Sequence, residues 1–186
     1  MIVGRDTETL DETGITRAGI ESVAESITDG ILAPLFWAFV AGAPGALLYR
    51  AANTLDSMIG HRTDRHEAFG WAAARIDDAA NFIPARLTGL LFVLLAGSRR
   101  LQAMSCMLND ARQHRSINAG WPEAGMAGAL AVRLCGPRSY DGEPANEPWL
   151  NGSASDPAAA DITRGLELYV GSMFVLAAAL AVFAFI

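Results

Sequence analysis

Apolar and polar positions alternate in blocks along the chain. Three stretches are apolar enough to enter a bilayer, and polar segments of helical periodicity separate them. Ile31 to Tyr49 is uncharged but interrupted by Pro34, Gly42, Pro44 and Gly45. About 20 apolar residues cross the hydrocarbon, so its length suffices. The Pro/Gly pairs leave a spanning, a broken and a re-entrant helix all open. A second stretch, Ala79 to Ser98, holds Arg86 and ends against Arg99 and Arg100; its purely apolar part, Leu87 to Gly97, is short. The third, Leu168 to Ile186, is uncharged and rich in Ala, Val and Phe, and is expected to be a carboxy-terminal transmembrane helix.

Between these lie Thr13 to Asp29 and Ala68 to Asn81, which read as amphipathic helices, and residues 101–115, which read as another. A loop and the Ala-rich run Trp121 to Leu134 follow. Residues 136–157 are dense in Pro, Gly, Asn and Ser and read as loop. Within them Asn151-Gly152-Ser153 matches a glycosylation sequon but reads better as a turn. No useful β-alternation and no internal repeat appear. The expectation is an all-α, polytopic integral membrane protein with amphipathic cytosolic helices, forming one membrane-embedded domain over residues 1–186.

Composition agrees: 52% of residues are hydrophobic, 18% are charged, and mean hydropathy is +0.25. A net charge of -6 argues against a nucleic-acid partner. All 14 basic residues are arginine, which excludes a lysine Schiff base and the lysine-dependent phosphate loop. Bound phosphate must then be met by arginine forks, backbone amides or a metal ion. Cys106 and Cys135 have no paired-cysteine spacing, so neither a zinc site nor a disulfide framework is expected. The polar start MIVGRDTETLDET resembles neither a signal peptide nor an anchor. Arg99, Arg100, Arg112 and Arg115 favour a cytoplasmic side for the region after the second stretch, although the Ala51 to Asn81 segment carries arginines too.

Three polar clusters are candidates for chemistry. Glu21, Glu25 and Asp29 recur every four residues and share one helical stripe opposite Ile20, Val23, Ile27 and Ile31. Such a stripe is either a solvated face or a set of hard oxygen ligands for magnesium. Arg75, Asp77, Asp78 and Asn81 form a second cluster, with Arg86 beyond Pro84. An arginine in an apolar segment is costly and often functional, but it can also snorkel to headgroups. The third is Asp110, Arg112, His114, Arg115, Ser116 and Asn118, either a general base beside anion-binding arginines or a basic loop. His61 and His66 have no partner spacing and receive no role.

Around these clusters the sequence resembles the adenosylcobinamide-phosphate synthase family. The resemblance lies in GRDTETLDE (4–12), ESVAESITDGILAPLFW (21–37), GAPGALLYRAANTLDSMIG (42–60), FGWAAARIDDAANFIPARLT (69–88) and NAGWPEAGMAGALAVRL (118–134). It runs in order from Gly4 to about Trp149. It implies an ATP-dependent ligase in the cell inner membrane, multi-pass, with a cytoplasmic active face. Such an enzyme joins the propionate of adenosylcobyric acid, a corrinoid, to aminopropanol or its phosphate. Other membrane enzymes of cobalamin assembly are expected partners.

For that reaction Glu21, Glu25 and Asp29, or Asp77 and Asp78, are expected to hold Mg2+; Glu21, Glu25, Asp77, Asp78 and His114 are the catalytic candidates, with His114 to deprotonate the amine. Arg5, Asn53, Asp56, Arg75, Asn81, Arg86, Arg115 and Asn118 are expected to contact substrate and phosphate. The sequence departs from the family pattern at Ser26, His61, His66, Ile117 and Cys135. Relatives carry further hydrophobic segments before the GRDT motif, so Met1 is expected to correspond to an internal methionine. The competing readings are a non-catalytic membrane scaffold and, less favoured, a transporter whose acid stripe lies within the bilayer.

Overall fold

The computed structural model describes residues 10–59, 67–140 and 143–184. Helix α1, Glu12–Ile27, starts where the Asp11 carboxylate accepts a hydrogen bond from the Gly14 N–H at 2.7 Å. That cap satisfies one of the orphan donors of the first turn. The helix continues through a π-helical turn, Thr28–Leu32, into α2, Ala33–Ile59.

Helix α2 is not straight. Ala41 and Gly42 leave helical geometry, and Gly42 takes φ 66°, ψ -160°, which essentially only glycine adopts. The chain doubles back there. The Tyr49 hydroxyl lies 3.4 Å from Asp29 Oδ1, and Arg50 Nη1 donates to the Asp29 carbonyl at 3.2 Å. In a straight helix residues 29 and 49 would stand about 30 Å apart. The two arms press together at Gly45, where a Cβ would come within 2.5 Å of the Trp37 carbonyl oxygen. Ile31 to Tyr49 is therefore a hairpin, and its eleven-residue arm, Ile31–Ala41, is about 16 Å long, about half the thickness of a hydrocarbon layer of about 30 Å.

Helix α3, Glu67–Leu95, merges the expected amphipathic helix and the second apolar stretch into one element. Pro84 inside it cannot donate to the carbonyl of Ala80. Trp37 Nε1, from the hairpin, donates to that carbonyl at 3.0 Å instead, so the helix runs on. Helices α4, Arg100–Asp110, and α5, Gly120–Leu130, pack on its second half.

The segment expected as loop folds into two short antiparallel ribbons. Strand β1, Leu134–Cys135, pairs with β4, Trp149–Leu150, and β2, Arg138–Tyr140, pairs with β3, Glu143–Ala145. Leu134, Cys135 and Leu150 are fully buried, and backbone groups taken out of water need partners, which the ribbon supplies. Helix α6, Ala159–Ala184, begins before the expected Leu168 because Asp161 caps it, accepting from the Ala158 N–H at 2.9 Å.

A packed core joins Ile20 and Ile27 of α1, Phe92 of α3, Met126 and Leu130 of α5, and Leu134 and Leu150 of the ribbon. Beside it the outer faces are apolar. Phe39, Leu47 and Leu48 on the hairpin and Phe174 and Phe183 on α6 are each at least 60% exposed. Residues 12–59, 70–95 and 159–183 are long and apolar enough to cross a membrane. The protein is an all-α, polytopic membrane protein carrying two short ribbons.

Candidate functional site

A cleft of ≈ 340 Å³ opens where α1, α3, α5, the 114–119 loop and β2 converge. The folds just described set its two walls: the return of the hairpin brings α2 against the end of α1, and the ribbon brings β2 against its middle.

On the inner wall Glu21 is 5% exposed. Its Oε1 accepts from the Cys135 backbone N–H at 2.8 Å, and its Oε2 lies 3.3 Å from Arg138 Nη1. Glu123, in the first turn of α5, is 2% exposed and projects into the same space. Its Oε1 is 3.7 Å from His114 Nε2, while no donor reaches its Oε2. Glu25 lines the same cleft and is exposed to it. Burial pushes the Glu123 carboxyl well above the usual range, and the charges of Glu21 and Glu25 add to this.

His114 lines the cleft. Its Nδ1 accepts a hydrogen bond from the Ser116 backbone N–H at 2.9 Å, so in the neutral ring the hydrogen sits on Nε2. Burial lowers its pKa. Its Nε2 stands 3.7 Å from Glu123 Oε1, beyond hydrogen-bond length. Ligand atoms of His114, Glu123 and Cys135 lie within 4.8 Å of one another. Burial, with the nearby Glu123 charge, pushes the Cys135 thiol up to about 12.

The outer wall is an aspartate–amide array. Asn53 Nδ2 donates to Asp77 Oδ1 at 3.2 Å, and Asn81 Nδ2 to Asp77 Oδ2 at 3.1 Å. The Tyr49 hydroxyl lies between Asn81 Oδ1, at 3.0 Å, and Asp29. Asp29, Asp56 and Asp77 all line the cleft. Asp78 pairs with Arg75 at 3.4 Å on the rim, and its backbone carbonyl accepts from Asn118 Nδ2 at 2.8 Å.

Most residues singled out in the sequence thus share one cleft: Glu21, Glu25, Asp29, Asp56, Asp77, Asp78, Asn81, His114, Arg115 and Asn118 line it. Asn53 and Arg75 touch its aspartates from outside the lining. Arg86 does not line it. Its guanidinium lies 3.6 Å from the Phe82 ring centroid and 4.5 Å from that of Trp121, and donates to Asn118 Oδ1 at 3.4 Å. Arg5 lies outside the described residues, as do His61 and His66. Glu21 and Asp29 stand about 12 Å apart along the helix, with Glu25 between them.

Sequence reasoning missed Glu123 and Arg138. Glu123 had a readable signal, a lone acid inside an Ala/Gly-rich apolar helix. Arg138 had none, since only the ribbon fold brings it to Glu21.

The fold and cleft define a class: a polytopic helical membrane protein with a carboxylate-lined polar cleft beside its apolar faces. The CobD/Cbib protein family matches residues 1–169, and the chain belongs to that family. It is 65% identical over 173 residues to the cobalamin biosynthesis protein CobD of Rhodobacter capsulatus, covering 93% of this chain and 55% of that relative. The protein of the same name from Brucella suis is 53% identical over 179 residues, with the same coverage. That from Sinorhizobium fredii is 48% identical over 190 residues, covering 98% of this chain and 58% of the relative. The chain spans little more than half the length of these relatives. No solved structure matches it.

Proposed function

We propose that the protein acts in cobalamin biosynthesis as an ATP-dependent amide-forming ligase of the cell inner membrane, with the cleft on its cytoplasmic side. The reaction joins the free propionate of adenosylcobyric acid to aminopropanol or its phosphate. Supporting it, beside the family membership and the relatives' names, is the convergence of acidic oxygens, carboxamides and arginines from distant parts of the chain in one polar cleft.

A carboxylate resists attack by amines because its leaving group is oxide. Phosphate transfer from ATP to the propionate gives an acyl phosphate, and the amine then displaces phosphate. The protein's part is to position the groups and neutralise their charge. Arg115, on the cleft wall, and Arg75, on its rim, are suited to phosphate oxygens. The oxygen donors of Asp29, Asp56 and Asp77 suit magnesium, with Asn53 and Asn81 fixing the Asp77 carboxylate. A bound magnesium ion would offset the negative charge of these acids and of the nucleotide.

The test is an assay of the membrane-embedded protein with adenosylcobyric acid, an aminopropanol donor, ATP and magnesium. Amide product with matching release of ADP is expected. Corrinoid binding with no ATP consumption, even in a longer protein containing these residues, would overturn the reading in favour of a scaffold.

A further inference from the structure

The cleft is too small to enclose a corrinoid. Pockets of about 300–1,000 Å³ take drug-sized ligands, and this one has ≈ 340 Å³. A propionate arm and phosphate groups fit, but a corrin macrocycle with its carboxamide arms and adenosyl group must lie outside, on a surface that borders the cleft. The rim at Arg75, Asp78 and Arg115 is charged. The rim where α3 meets the start of α5 is apolar. Asn81, Ala85, Asn118 and Pro122 line the cleft there. Their chain neighbours Phe82, Arg86, Ile117 and Trp121 stand just beyond it, and the Arg86–Asn118 hydrogen bond at 3.4 Å joins the two surfaces. Phe82 and Ile117 are each 49% exposed, and the Trp121 indole is fixed by donating to the Ile117 carbonyl at 3.2 Å.

Arg86 completes this face. Its guanidinium rests against the Phe82 and Trp121 rings and donates to the Phe82 carbonyl as well as to Asn118. Among the described residues no carboxylate pairs with it. An arginine in an apolar helix is costly to keep, and one fixed against two rings presents oriented N–H donors to whatever covers them.

We propose that Phe82, Ile117 and Trp121, with Arg86, form a platform for the corrin macrocycle, from which the propionate arm enters the cleft past Asn118. The inference rests on the ligase reading above. The methyl-bearing periphery of the macrocycle covers the aromatic and aliphatic side chains, and a carboxamide oxygen of the substrate accepts from Arg86. Acyl chains of the bilayer would cover the same apolar side chains but offer Arg86 no acceptor.

The experiment measures binding of adenosylcobyric acid to the membrane-embedded protein by equilibrium dialysis, read from corrinoid absorbance. Phe82→Ala is expected to raise Kd about 5- to 30-fold, and Phe82→Tyr, which restores the ring, to bring it back. Leu94→Ala removes a similarly exposed apolar side chain about 18 Å further along α3 and is the control for lipid contact, with no change in Kd expected. Unaltered binding by Phe82→Ala overturns the proposal. So does an equal loss in Leu94→Ala, which would assign the face to lipid or to folding, and so does the absence of corrinoid binding to the unmodified protein. ADP release judges the ligase reading separately. Amide and ADP formed while Phe82→Ala binds corrinoid normally remove the platform alone. A Kd that depends on Phe82, with no ADP released by the unmodified protein, removes the ligase reading and leaves the platform.

Discussion

The Glu21 carboxylate and the Arg138 guanidinium meet at 3.3 Å with only 6% and 7% of their side chains exposed. With the Cys135 N–H on the other carboxylate oxygen, this pair ties the ribbon to α1 and closes the inner wall of the cleft. Removing one partner strands a buried charge, which costs more than the pair itself contributes. Arg138→Met should therefore lower stability by about 3–5 kcal/mol, measured by thermal unfolding in detergent. Glu21→Gln should also destabilise, because it leaves the buried Arg138 guanidinium without its carboxylate, although an amide oxygen still accepts from Cys135. Equal melting of Arg138→Met and the unmodified protein would show that the pair holds nothing.

Trp37 stands in for the donor that Pro84 removes from α3. Trp37→Phe should cost about 1–3 kcal/mol by leaving the Ala80 carbonyl without a donor. In a Pro84→Ala background residue 84 regains its own N–H, so the same substitution should cost measurably less. A double-mutant cycle on the four proteins reads the difference directly.

The hairpin depends on close contact at Gly45. A methyl group there meets the Trp37 carbonyl oxygen at 2.5 Å and the Ala41 side chain at 2.8 Å, so the arms must part. Gly45→Ala is expected to cost about 1–3 kcal/mol and to move Trp37 fluorescence toward that of a more exposed indole. An unchanged emission maximum would contradict the tight turn.

Asp156 carries a pH dependence of defined sign. Its hydrogen bond from Arg133, followed by that from Arg17, holds its carboxyl at about 2 rather than 3.8. The folded state favours the ionised form, so the stabilisation is complete above the unfolded value of 3.8 and is lost as pH falls through about 2. Asp156→Asn should thus lower the melting temperature at neutral pH, and the gap from the unmodified protein should shrink between about pH 4 and 2. The group is well exposed, so the effect is modest.

Asp77→Asn tests the outer wall. Its carboxylate takes both Asn53 and Asn81, and replacing it removes a magnesium-type oxygen charge while leaving an amide of equal size. Amide formation is expected to fall on the order of 100-fold, with a smaller loss of melting temperature from the one carboxamide donor that no longer finds an acceptor. A loss of stability with no loss of turnover would make Asp77 a structural residue.

Much of this organisation was legible from residue pattern. The four-residue spacing of Glu21, Glu25 and Asp29 implied one face, and that face does line the cleft. The Pro/Gly interruptions around residue 42 signalled a break without saying whether the chain crosses or returns. That depends on the contacts of Tyr49 and Arg50 with Asp29, which no local pattern encodes. The ribbons escaped notice because strands of two or three residues are too short to show alternation.

The turn at Gly42 also has a consequence for the site. Because the chain comes back to the level of Asp29, Asn53 and Asp77 stand beside the acid stripe of α1, and one cleft can serve them all. Counting every apolar stretch as a crossing would put those groups on opposite surfaces of the bilayer. The hairpin is therefore what lets a chain so rich in apolar helix assemble a single wet site from both of its flanks.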